Sequence, residues 1–166
     1  MRKLGLAIVV VALWSAPRAA SAGPFVEGSL GLGWHVSPSL PAGAESRQPL
    51  NIMIAPGYGF LADLLKVSVG FAGSGFGDVS GDVFRLQIRP MVTVQPPLFP
   101  LYVRGMLAFL DVTHSDTSQT AFGAAAGLSF GLLGVGVFGE VGALTFSAGG
   151  SQNWIVEGRA GVSIGF

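Results

Sequence analysis

The chain has 166 residues, half of them apolar, with 26 glycines, no cysteine and only 11% charged side chains. Its length fits one domain, and the missing cysteine excludes disulfides and thiolate metal sites. No uncharged apolar run reaches the roughly 18 residues that a membrane-crossing helix needs, yet the apolar content is too high for an ordinary soluble domain.

Residues 1–22 read as a cleaved secretory signal peptide: basic Arg2 and Lys3, an apolar run from Leu4 to Trp14, and the small-x-small pattern Ala20-Ser21-Ala22 before Gly23. A helix over that run would span about 16 Å at 1.5 Å per residue, roughly half a hydrocarbon core, which argues against an anchor. Loss of Arg2, Lys3 and Arg18 with the leader leaves six basic against nine acidic residues, a formal charge of minus three. No polybasic stretch then remains for nucleic acid.

Residues 23–166 form one domain in which eight segments alternate with a period of two, the signature of strands with unlike faces. In 25–36, Glu27, Ser29, Gly31, Gly33 and His35 oppose Val26, Leu30, Leu32, Trp34 and Val36. In 50–60, Asn51, Ala55, Gly57 and Gly59 oppose Ile52, Ile54, Tyr58 and Phe60, and Pro56 predicts a bulge because it cannot donate to a ladder. In 64–73, Lys66, Ser68 and Gly70 face away from Val67, Val69 and Phe71. The alternation is cleanest in 82–94, with Arg85, Gln87, Arg89 and Thr93 against Phe84, Leu86, Ile88, Val92 and Val94.

Segment 101–111 sets Tyr102, Arg104, Met106 and Ala108 against Leu101, Val103, Leu107 and Phe109, and 120–132 has one face of glycine, alanine and serine without charge. In 134–146, Phe138, Glu140, Gly142 and Leu144 share a face opposite Val135, Val137, Val141 and Ala143. In 153–166, Glu157, Arg159, Gly161 and Ser163 oppose Trp154, Val156, Val162, Ile164 and Phe166. Connections after the second, fourth and sixth segments are short or apolar and proline-containing (61–63, 95–100, around Leu133); the others (37–49, 74–81, 112–119, 147–152) are longer or more polar. That rhythm suits periplasmic turns and external loops, with both chain ends on the periplasmic side.

The C-terminal residues Arg159, Gly161, Ile164 and Phe166 resemble the assembly signal that closes bacterial outer-membrane β-barrels. With the eight alternating segments, the chain resembles the OmpA/OmpX-type eight-stranded barrels without an appended peptidoglycan-binding domain. The resemblance implies an all-β, antiparallel up-and-down transmembrane barrel in a Gram-negative outer membrane. It also implies insertion by the barrel-assembly machinery and surroundings of lipid and lipopolysaccharide. It implies no single activity.

Charge decides which face looks inward. Glu27, Lys66, Arg85, Arg89, Arg104, Glu140, Glu157 and Arg159 all share the face of glycine and serine, whereas a soluble barrel would bury the aliphatic face instead. The expectation is a lumen filled by an ion-pair network, the glutamates pairing with arginines of neighbouring strands, and an aliphatic exterior in lipid. Aromatics flank that exterior: Trp34 and Trp154 toward the outer ends, Phe60, Phe99 and Phe166 toward the periplasmic ends.

Other motifs carry less. His114-Ser115-Asp116 has the residue types of a hydrolytic triad, but neighbours in one loop rarely reach triad geometry. His35 reads as a rim residue, 73–77 as a glycine-rich loop with no helix behind it to bind phosphate, and Pro96, Pro97 and Pro100 as a turn. Asp78, Asp82, Asp111 and Asp116 keep outer loops solvated or touch divalent cations. The expected role is structural or interactive, non-enzymatic, without cofactor or built metal site. The alternatives are a narrow pore favouring anions, since five lumenal cations face three glutamates, and a lipid-modifying enzyme using His114.

Overall fold

The structure, a computed structural model, describes residues 22–38, 47–48, 50–74, 84–97, 99–114, 118–148 and 150–166. The leader, with the expected cleavage point after Ala22, falls almost wholly outside them, as do Ser115, Asp116, Asp78 and Asp82. Among the described residues no helix is long and apolar enough to cross a membrane.

Eight antiparallel strands follow in chain order: β1 Pro24–Ser37, β2 Asn51–Phe60, β3 Leu65–Ser74, β4 Arg85–Val94, β5 Leu101–Leu110, β6 Gln119–Leu132, β7 Val135–Ala148 and β8 Ser151–Gly165. Each pairs with the next, and β8 pairs with β1 from Phe25↔Gly165 to Ser37↔Trp154, so the sheet closes without an edge. Closure removes the row of unpaired amides that an open sheet would present.

The stagger follows from the register. A path of cross-strand partners from Phe25 through Gly57, Ser68, Met91, Met106, Gly123, Leu144 and Ile155 returns to β1 at His35, ten residues further on. Such a shear tilts the strands by roughly 35–45° to the barrel axis. Strands β2 to β5, ten residues each, then rise about 25 Å, the height of a transmembrane barrel's apolar band.

Pro56 does not make the expected bulge. The register of β2 on β1 runs unbroken from Pro24↔Tyr58 through Val26↔Pro56 to Gly31↔Asn51. The interruption falls on the β3 side, where pairing skips from Ile54↔Phe71 to Gly57↔Ser68 without changing register. Pro90 has the same effect between β4 and β5, where pairing skips from Ile88↔Phe109 to Met91↔Met106. A proline deprives one neighbour of a donor and leaves the other ladder intact. The register shift that does occur lies at the end of β1, between His35 and Ser37.

One connection is also shorter than its composition suggests. β7 and β8 pair as far as Ala148↔Ser151, leaving two residues between them, and Gly150 takes a φ of 77° to make the turn. Polar residues 147 and 151–152 continue the strands instead of forming a loop.

Inward positions are filled in a graded way. Near the end carrying the short turns, the rings of Phe25, Tyr102 and Phe138 lie over glycines of adjacent strands, Gly57, Gly127 and Gly161, where any side chain would collide with them. Toward the other end, Met53, Ala72, Met91, Met106, Ala108, Ala121, Leu144 and Ile155 form a buried apolar cluster. Outward positions such as Leu30, Ile54, Val103, Phe122 and Val141 are exposed all round the barrel.

Candidate functional site: the charged lumen

Between the aromatic floor and the apolar cluster lies a chain of ionised side chains of alternating sign. Glu27 on β1 accepts two hydrogen bonds from Arg104 Nη2, at 2.9 and 3.1 Å. Arg104 Nη1 is 3.3 Å from Glu140 Oε2 on β7, and Glu140 Oε1 accepts from Arg159 Nη1 on β8 at 3.3 Å. Arg159 Nη2 donates to Glu157 Oε2 at 2.9 Å, and Glu157 takes both Nη atoms of Arg89 at 2.7 and 2.9 Å. Three arginines and three glutamates therefore balance.

Neutral groups satisfy most of what is left. Tyr102 donates its hydroxyl to Glu140 Oε2 at 2.7 Å, Arg104 Nε donates to Thr93 Oγ1 at 2.9 Å, and Gln87 Oε1 accepts from Arg89 Nη2 at 2.6 Å. The Arg104 guanidinium also lies 5.3 Å from the Tyr102 ring centre and 5.7 Å from that of Phe138. Arg159 Nε finds no acceptor among the described residues. Desolvating six charges is costly, and the geometry offsets this by giving nearly every donor an acceptor.

The pairing differs from the expectation of neighbouring strands. Glu140 and Arg159 are cross-strand partners on β7 and β8, but Glu27 meets Arg104 on the opposite wall, β5, and Glu157 meets Arg89 on opposite β4. An eight-stranded lumen is about as wide as two long side chains, so opposite walls are within reach. Two such bridges brace the barrel across its diameter.

Lys66 and Arg85 stand outside this chain of contacts. Lys66 lies toward the turn end with its Nζ 3.9 Å from Asp63 and 5.7 Å from the Phe25 ring centre. Arg85, whose side chain is 62% exposed, sits at the loop-end rim with its Nε 3.9 Å from Asp111. Both have inward parity, but parity does not specify height, and each finds an aspartate at its own end. Tyr102, Gln87 and Thr93 were legible as inward residues, though not as partners; Gln87 lies two positions from Arg89, and Thr93 pairs in register with Arg104.

Free space among the described residues is unevenly distributed along the lumen. A vestibule of about 320 Å³ opens at the turn end beside Phe25, Asp63, Lys66, Leu133 and Ser163, and none of the six networked charges lines it. Beside Glu140, Glu157 and Arg159 the free space is about 10 Å³, room for about one water.

At the loop-end rim, Asp111 takes a φ of 54° and accepts from Thr113 Oγ1 and pairs with His114 Nδ1, both at 2.8 Å. His114 thus meets Asp111, with Ser115 and Asp116 outside the described residues. His35 Nε2 is 3.0 Å from Asn153 Oδ1. No cluster of three or more potential metal ligands occurs among the described residues. Pro96 accepts a backbone hydrogen bond from Phe99 at 3.2 Å, and so lies in a turn.

The C-terminal signature residues have separate surroundings. Arg159 belongs to the network, Gly161 lies beneath Phe138 and against the backbone of Gly28, and Ile164 faces outward between Val26 and Val135. Phe166 gives its amide to Pro24 while its ring stays exposed.

No family model matches the chain, and no curated protein sequence matches it. Among solved structures it is similar to Neisserial surface protein A, with a TM-score of 0.61 and 16% identity over 87% of this chain and 98% of that one. It is also similar to the Yersinia pestis outer membrane protein Ail, with a TM-score of 0.39 and 16% identity over 81% of this chain and 98% of that one. The chain thus has the eight-stranded closed antiparallel β-barrel fold, which it shares with Neisserial surface protein A.

Proposed function

We propose that the chain is an integral outer-membrane barrel with a structural or interaction role, its lumen closed by its own side chains. The observation that carries this reading is the inversion of an ordinary core: six paired charges are enclosed, while aliphatic side chains face outward over the whole circumference. Water would hydrate the charges and drive the aliphatic side chains together, so this arrangement is stable only with hydrocarbon outside. The cleavable leader, the long-loop end facing out and the neighbouring lipopolysaccharide belong to the same reading. So does recognition of Arg159, Gly161, Ile164 and Phe166 by the barrel-assembly machinery.

The alternative anion pore drew on five lumenal cations against three glutamates. With Lys66 beside Asp63 and Arg85 beside Asp111, the enclosed charges balance, and the bridges lie across the path an ion would take. Planar-bilayer recording of the purified protein is expected to give no stable single-channel conductance. Steady anion-selective openings that fall when Arg89 is neutralised would establish the pore instead.

A further inference from the structure

All three connections at the turn end, and the chain terminus beside them, present a large apolar side chain to the outside. Leu61 is 71% exposed, Phe99 65%, Leu133 93% and Phe166 75%. Turn tips in water ordinarily carry Gly, Asn, Asp or Ser. Here two tips keep leucine where the backbone opposes it: Leu61 has a φ of 51° and Leu133 of 52°. A left-handed conformation costs an L side chain roughly 1–2 kcal/mol. Leu133-Gly134, both at positive φ, close the hairpin that pairs Leu132 with Val135, a position where Asn-Gly is favoured.

No contact inside the barrel compensates side chains so exposed. The loop end is different, since its described tips mix Ser37, Asp111, Thr113, His114, Gln119 and Ser151 with Val36, Phe84 and Val112, and each of these three is less exposed than any of the turn-end side chains. The apolar tips also run on from the exposed belt of the strands, through Phe60 to Leu61, Leu101 back to Phe99, Leu132 to Leu133, and Ile164 to Phe166. They recur at β2–β3, β4–β5 and β6–β7, once for every second strand, and so surround the barrel. A protein partner docks against one side of a rim, whereas a lipid surface meets all of it.

We propose that the turn end is submerged, with Leu61, Phe99 and Leu133 seated in the headgroup–acyl boundary of the leaflet that the short turns face. The partner is the phospholipid surface itself, and the tips set the depth of the barrel and hold it there. This rests on the membrane-embedded reading above and adds to it where the water boundary lies.

The chain lacks cysteine, so single nitroxides can be attached in the folded barrel after Leu61→Cys, Phe99→Cys or Leu133→Cys. Val141→Cys at mid-belt and Thr113→Cys at the loop end serve as references. In vesicles of phosphatidylethanolamine and phosphatidylglycerol holding no other protein, each label is relaxed by oxygen, which concentrates in lipid, and by a water-soluble nickel chelate. The tips are expected to have oxygen-to-nickel ratios several-fold above that at Thr113 and below that at Val141. Ratios at the tips equal to Thr113, with Val141 still oxygen-dominated, would overturn the submerged turn end and leave the embedded barrel standing. Nickel-dominated relaxation at Val141 would remove the embedded reading and this inference with it. Heat-modified gel mobility verifies that each labelled variant is folded.

Discussion

Arg104 shows how much a single inward residue can carry. Its guanidinium joins Glu27 to Glu140, donates to Thr93 and lies against two rings, so truncation strands buried Glu27 and takes one of the partners of Glu140, which keeps Arg159 and Tyr102. Arg104→Ala is expected to cost about 3–5 kcal/mol in denaturant unfolding of the reconstituted barrel. Arg85→Ala, at the exposed rim, should change stability by no more than about 0.5 kcal/mol. Parity alone placed Glu27, Arg89, Arg104, Glu140, Glu157 and Arg159 on the inner face. The partner of each was not legible, because bridges such as Glu27 to Arg104 depend on the ten-residue stagger that brings distant strands to one height. The same gap explains why Lys66 and Arg85 looked equivalent to the others: a period of two distinguishes in from out, and says nothing of how far along the barrel a side chain lies.

At the scale of strands and turns, alternation predicted all eight elements and the face each turns inward. It failed where backbone donors matter more than side chains. Pro56 suggested a bulge, but every strand of a closed barrel has two neighbours, and the missing donor interrupts the ladder to β3 alone. Residues 147–152, with polar Ser147, Ser151 and Gln152, suggested a loop, yet Ser147 pairs with Gln152 and Ala148 with Ser151, so the two strands run on to a two-residue turn. The terminal strand yields an assembly prediction. Arg159 and Gly161 have their own roles in the finished barrel, whereas the Phe166 ring contributes little packing, being exposed. Deleting Phe166 should therefore slow insertion in cells while leaving the unfolding midpoint of refolded protein almost unchanged. Normal insertion of the shortened chain would refute a role for that residue as an assembly signal.

For the molecule as a whole, the arrangement of matter is that of a soluble protein turned inside out. Balanced charges, braced across the diameter and flanked by an aromatic floor and a methionine- and alanine-rich cluster, take the place of an oily core. Valine, leucine, isoleucine and phenylalanine take the place of a hydrated surface. Fold and lumen both depend on that inversion, so the most direct test reads the two faces of one strand. In β7, residues 135 to 142 of the unaltered barrel can be read by photolabelling in vesicles whose phospholipid carries a diazirine on the acyl chain, with the labelled positions found by peptide mass spectrometry. Labelling is expected to alternate, strong at 135, 137, 139 and 141 and weak at 136, 138, 140 and 142. Uniform labelling along the strand, or strong labelling at 138 and 140 with none at 137 and 141, would contradict the account.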